Sequence, residues 1–287
     1  MERPYSLKDL LNLMARLRDP ETGCPWDLKQ TRASLVPHTL EEVYEVIECI
    51  EEENDPDHLK EELGDLLLQI VFYAQLAKEE EQYNFADIVD GLTNKLVTRH
   101  PHIFPEGRLY AGEASAANKP QTPAEVSELW QKVKAMEREA KGEQPDASIL
   151  VGVPLNLPSM TRAAKLQKRA AKVGFDWNDP LLVLDKIEEE LAEIRQALAG
   201  GKQEEVAEEV GDFIFASVNL ARHLKVDPES AVRATNRKFE RRFKIIEELC
   251  LEEGRPLTLA IQADPKQRID LQQLDAYWEA AKQRENQ

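Results

Sequence analysis

The feature that most constrains this chain is an acidic array that occurs twice. Glu41-Glu42-x-x-Glu45 is followed by Glu62-x-x-Asp65, and later Glu189-Glu190-x-x-Glu193 is followed by Glu209-x-x-Asp212, with a gap one residue shorter in the second copy. The order continues outward: Lys95-x-x-x-Arg99 corresponds to Lys238-x-x-x-Arg242, and Leu129-Trp130-Gln131-Lys132 to Tyr277-Trp278-Glu279-Ala280. Four elements repeated in register point to two copies of one structural unit. Two stretches bearing Pro and Gly, 105–123 and 142–158, lie between the copies and frame a helical-looking segment, 124–141. The expected division is therefore 1–141, an N-terminal unit with its linker helix, and 142–287, a C-terminal unit.

Each unit reads as helical. Asp55-Pro56, Asp179-Pro180 and Asp227-Pro228 each have the form of a capping Asp with Pro at the first helical position. From Leu184, the residues Ile187, Leu191, Ile194 and Leu198 recur at intervals of three and four, the spacing of an apolar helix face inside a bundle. Hydrophobic residues at 42%, charged residues at 32% and aromatic residues at 6% agree with a helix-rich globular chain. No strand alternation competes, and the expected fold class is all-α, with two tandem helical bundles.

Several classes of protein are excluded or disfavoured. The longest apolar run, 63–77, is broken by Asp65 and two glutamines, and the N-terminus has no apolar segment of signal-peptide length, so a cytoplasmic protein without a membrane partner is expected. Cys24, Cys49 and Cys250 are widely spaced with no Cys-x-x-Cys, which indicates neither a disulfide framework nor a zinc site. A net charge of −17 without a dense basic region disfavours nucleic acid as a partner, whereas clustered acids suit divalent cations.

A single Glu in a charged helix is ordinarily a solvated surface residue, and Glu51, Glu52 and Glu53 read that way. Asp65 and Asp212 differ, since each is the only charge in an apolar stretch, 63–77 and 210–221 respectively. At 100° per residue Phe215 and Ala216 fall on either side of Asp212, so that face is expected to be closed to water. A buried unpaired carboxylate costs several kcal/mol, a cost removed by a cation. Glu209, three residues before Asp212, shares its face, and Glu190 and Glu193 form a second such pair. Four oxygen donors from two helices suit magnesium or manganese. One isolated buried Asp is more often satisfied by an arginine or by helix amides; duplication of the whole array favours the cation. Glu42 has a structural alternative as the partner of Thr39 in a capping box. A di-iron bundle would need Glu-x-x-His on two helices, and the nearest approach, Asp55-x-x-His58, occurs once.

Further segments carry a resemblance: Arg16 to Pro20, Gly23 to Asp27, Arg99 to His102, Val173 to Trp177 and Lys238 to Phe243. Together with the acidic array they resemble the MazG family of all-α nucleoside triphosphate pyrophosphohydrolases over residues 6–283. The resemblance implies cleavage between the α and β phosphates to a nucleoside monophosphate and pyrophosphate. It implies magnesium held by Glu190, Glu193, Glu209 and Asp212, with Glu189 a candidate for orienting the attacking water. The corresponding acids of the first copy are Glu42, Glu45, Glu62 and Asp65. Lys186, one turn before Glu190, is expected to reach the phosphates, as are Lys238 and Arg242, which lie one turn apart and have Lys95 and Arg99 as first-copy counterparts. Trp278 is a candidate to stack on the nucleobase, although packing against the bundle is its commoner fate.

A basic stripe, Arg162, Lys165, Arg169 and Lys172, precedes the second unit and would contact phosphate or balance an acidic helix. By resemblance the C-terminal unit is the main catalyst and the chain is a homodimer; His38 in place of Lys186 lowers the expectation of activity in the first copy. The competing reading is a non-catalytic nucleotide-binding regulator or adaptor whose acids hold a structural cation.

Overall fold

The computed structural model describes residues 4–53, 55–104, 107–110, scattered positions from 122 to 137, 148–264 and 268–285. The chain divides into two compact units, Met1–Gln144 and Pro145–Gln287. The boundary expected near Gly142, and Gln131 and Lys132 of the repeat, lie outside the described residues. Among the described residues there is no strand. Unit 1 contains α1 (Leu7–Leu17), α2 (Pro25–Lys29), α3 (Arg32–Glu48), a π-helical turn (Cys49–Glu53), α4 (Pro56–Glu79) and α5 (Phe85–Arg99). Unit 2 contains α6 (Ser159–Ala171), α7 (Pro180–Gly200), α8 (Gln203–His223), α9 (Pro228–Glu252), α10 (Leu259–Ala263) and α11 (Leu271–Glu285). None of these helices is long and apolar enough to cross a membrane.

The helix starts follow local chemistry. Asp55, Asp179 and Asp227 each accept backbone N–H bonds from the first turn behind a Pro, satisfying donors that an open helix end would leave free. Helix α3 begins earlier than the Thr39-x-x-Glu42 pattern suggests. Thr31 and Ser34 cap it reciprocally, so Thr39 lies within the helix and its hydroxyl donates to the Leu35 carbonyl. The capping role considered for Glu42 is thus taken by residues upstream.

In unit 1, α3 packs along α4, and α1 and α5 join α4. Met14, Leu35, Val71, Phe72 and Leu76 form the core. Arg18, from the Arg16 to Pro20 segment, closes the loop after α1: it pairs with Glu79 at 2.6 Å, donates to the Asp27 and Gln30 carbonyls and lies over the Phe72 ring.

In unit 2, α7 and α8 form the principal pair, α6 packs on α8, and α9 packs on α11 around Ile246, Cys250, Ile269 and Ala281. Gly201, at φ 72°, ends α7 in the left-handed conformation that costs glycine little, and so turns the chain into α8. Asp176 fastens the other end of α8, bonding Arg222 at 2.5 Å and His223 at 3.0 Å. Burial pushes the Asp176 carboxyl up, but the bonds from Arg222 and His223 hold it net below the usual carboxylate range. Arg169, of the basic stripe on α6, donates to the Ile149 and Val151 carbonyls.

Candidate metal centre

Helix α7 supplies Glu190 and Glu193 three residues apart, and α8 supplies Glu209 from across the pair. An oxygen of each lies within 4.8 Å of an oxygen of the other two. Glu190 is only 4% exposed. Its Oε1 is 2.9 Å from Lys186 Nζ, while its Oε2 is buried without a hydrogen-bond partner among the described residues. An orphaned buried carboxylate oxygen is unfavourable by itself, and it is a fitting ligand atom for a cation. Burial, then the charges of Glu193, Glu190, Asp212 and Glu208, raise the Glu209 carboxyl above the usual range. The donor set is hard oxygen throughout, so these residues can hold a metal ion of the magnesium or manganese kind.

Asp212 stands somewhat apart. It is exposed and lies outside the group of three, although its charge acts on Glu209 and it borders the same cavity as Lys186 and Glu190. The expectation that its helix face is closed to water is not met within the single chain. Helix α8 buries Ala216, Val218 and Asn219 and leaves Ile214 and Phe215 exposed, because only one side of it packs on α6 and α7. Asp65 is likewise exposed on α4, beside exposed Leu63, Leu67 and Ile70.

The cations divide into those near the acids and those near the opposite helix pair. Lys186 sits 2.7 Å from Glu189 and 2.9 Å from Glu190, and the bonds it donates to Glu189 and then Glu190 raise its pKa, so it stays charged at neutral pH. Glu189 is itself exposed and engaged by that lysine. Lys238 is exposed on α9. Arg242 bonds Glu285 of α11 at 2.7 Å and lies over the Trp278 ring. Trp278 packs against the α9–α11 core and Phe239. In unit 1 Arg99 pairs with Glu137 at 2.7 Å, Trp130 meets His100 edge-on, and Lys95 is exposed. Glu137 and Glu285 each follow their tryptophan by seven residues, a further element of the repeat that the motif reading did not include.

A cavity of about 530 Å³ opens beside Glu190, with Phe175, Trp177, Phe215, Gln167 and Asn219 among its walls and Lys186 and Asp212 at its acidic side. Unit 1 gathers Glu42, Glu62 and Asp65 within the same 4.8 Å limit, with Glu45 outside that group. Burial raises the Glu42 carboxyl, helped by the Asp65, Glu45 and Glu62 charges and opposed by a bond from Gln69. Counting from the acidic motifs, Gln69 and Phe72 stand where unit 2 has Ala216 and Asn219. Both are buried: Gln69 donates toward Glu42 at 3.4 Å, and Phe72 is part of the core.

Two helices that gather carboxylates beside a lysine and a lined cavity define an all-α protein with an acidic cluster that could bind a metal ion. Residues 30–104 and 178–246 each match the MazG nucleotide pyrophosphohydrolase domain. The chain is 44% identical over 280 residues to the nucleoside triphosphate pyrophosphohydrolase of Escherichia coli K12, covering 96% of this chain and 97% of the relative. It is 42% identical over 275 residues to the nucleoside triphosphate pyrophosphohydrolase/pyrophosphatase MazG of Thermotoga maritima, covering 96% and 95%. The chain belongs to the MazG family of nucleotide pyrophosphohydrolases.

Proposed function

We propose that unit 2 carries the nucleoside triphosphate pyrophosphohydrolase activity of this chain, with Mg²⁺, replaceable by Mn²⁺, held by Glu190, Glu193 and Glu209 and completed by Asp212. The observation that carries the reading is the buried, unpartnered Oε2 of Glu190 inside a group of three carboxylates. Held by these residues, a divalent ion would neutralise charge at phosphate oxygens and would acidify a bound water. Lys186 is a permanent cation at the edge of the same group and contacts the phosphates. When Lys186 turns toward phosphate it releases Glu189, which then orients the attacking water. Phe175, Trp177 and Phe215 offer apolar walls to the nucleoside, and Asn219 a polar contact. Lys238 reaches the triphosphate tail, whereas Arg242 and Trp278 chiefly hold α9 against α11.

The exposed apolar residues beside the acids, Val210, Ile214 and Phe215 in unit 2 and Leu63, Leu67 and Ile70 in unit 1, support a homodimer in which a second copy covers them. Light scattering is expected to give twice the chain mass of 32.7 kDa, and a monomer at micromolar concentration would contradict this. The wide spacing of Cys24, Cys49 and Cys250, with no Cys-x-x-Cys, is consistent with a cytoplasmic setting.

The direct test is incubation of purified protein with each nucleoside triphosphate and Mg²⁺. Monophosphate and pyrophosphate are the expected products. Orthophosphate as the first product would overturn the assignment, and binding without turnover would leave a nucleotide-binding regulator.

A further inference from the structure

Unit 1 has a cluster of a different chemical kind beside its acids. Cys49, at the start of the π-helical turn, and His58 and Glu62, one turn apart on α4, present ligand atoms that all lie within 4.8 Å of one another. The Cys49 side chain is 2% exposed, and His58 Nε2 is 3.0 Å from Glu62 Oε1. Ligand atoms around a tetrahedral zinc ion are about 3.3–3.8 Å apart, given bonds of about 2.0–2.3 Å, so side-chain rotations of modest size would close the triad on an ion.

We propose that Cys49, His58 and Glu62 bind a borderline transition-metal ion of the zinc class. The donor set excludes magnesium as the preferred occupant, because a thiolate and an imidazole favour softer ions than carboxylates do. Three protein ligands leave the fourth position to water. The π-helical turn is local support, since such widened turns collect at functional sites and this one begins at the thiol.

The site belongs to unit 1 alone. Counting from the acidic motifs, unit 2 has Ala197 in place of Cys49 and Glu205 in place of His58, and only the equivalent of Glu62, Glu209, is kept. Glu62 also belongs to the Glu42, Glu62 and Asp65 group, so its carboxylate stands between the two clusters. An ion on Cys49 and His58 engages Glu62 and thereby alters the hard-cation site of unit 1 while leaving unit 2 untouched. Binding sends the Cys49 thiol proton to solvent and requires His58 neutral, so affinity falls on acidification.

The test is titration of the full-length chain with Co²⁺, a spectroscopic substitute for zinc. A thiolate-to-cobalt charge-transfer band saturating at one ion per chain is expected, displaced by Zn²⁺ and unaffected by excess Mg²⁺. His58→Ala, at a partly exposed position, should weaken the band's midpoint by at least about tenfold. Cys49→Ser should abolish the band, and Cys24→Ser should leave it intact. Absence of the band in the unsubstituted chain, its survival in Cys49→Ser, or a midpoint unmoved by His58→Ala would each overturn the proposal. None of these results bears on pyrophosphate release by unit 2, which Glu209→Gln probes separately.

Discussion

The two units keep the same acids on the same helix pair and differ in what surrounds them. In unit 2 Lys186 reaches both Glu189 and Glu190, whereas in unit 1 His38 occupies that place and approaches Glu41 at 3.7 Å. Unit 2 has Ala216 and Asn219 lining a cavity of about 530 Å³, where unit 1 has Gln69, which bonds Glu42, and Phe72, part of the core. In unit 2 one Glu190 oxygen has no hydrogen-bond partner among the described residues, whereas in unit 1 Glu42 accepts a bond from Gln69. A duplicated site can therefore retain its carboxylates while the side chains around them change. The cluster of Cys49, His58 and Glu62 has no counterpart at the corresponding positions of the second copy, Ala197, Glu205 and Glu209.

The comparison breaks most sharply at the acids. Glu190→Gln is expected to lower pyrophosphate release by at least about a hundredfold, roughly 3 kcal/mol of barrier, while Glu42→Gln leaves the rate within about twofold. Equal losses, measured at saturating Mg²⁺, would mean that both units turn over. Ala216→Gln transplants the unit 1 side chain into the unit 2 cavity. Overpacking of about 1–2 kcal/mol should cut kcat/KM roughly tenfold, mainly through KM, without loss of bound metal.

Lys186→His transplants the other difference. Imidazole is largely neutral above its ordinary pKa near 6.5, so the deficit should be several-fold at pH 8 and smaller at pH 6. A pH-independent deficit would show that the charge at position 186 does not act on substrate.

The smallest effect concerns protons. The raised Glu209 carboxyl protonates at a higher pH than an ordinary glutamate, and a ligand must be deprotonated to hold metal. Mn²⁺ affinity at unit 2 should therefore begin to fall, as pH decreases, before it reaches the ordinary carboxylate range. Without metal the sign reverses for stability. A carboxyl whose folded pKa exceeds its unfolded one destabilises the fold when ionised, and the penalty is relieved as pH falls through the folded pKa. Metal-free protein should accordingly gain a little thermal stability on mild acidification, as calorimetry would show.

Much of the frame is legible in the sequence. The repeat, the three Asp-Pro helix starts and the convergence of Glu190, Glu193 and Glu209 all follow from spacing, because capping and helical periodicity are local. The exposure of Asp212 is not legible, since an apolar flank does not reveal which side a neighbouring helix covers. Trp278 and Arg242 look like ligand contacts by motif, and the motif does not reveal that Trp278 also packs on the α9–α11 core or that Arg242 bonds Glu285. That Gln69 bonds Glu42 whereas Ala216 lines a cavity, beside otherwise matched acids, is a tertiary property, and no single-position pattern announces it. Cys49 and His58 are nine residues apart across a π-helical turn, a spacing that matches no metal-binding motif of fixed form.

The most direct test is Mg²⁺-dependent pyrophosphate release measured side by side in Glu209→Gln and Glu62→Gln, each checked for intact helicity. The account predicts near-complete loss in the first, not restored by excess Mg²⁺, and near-normal turnover in the second. Turnover that survives Glu209→Gln, or disappears with Glu62→Gln, would contradict it.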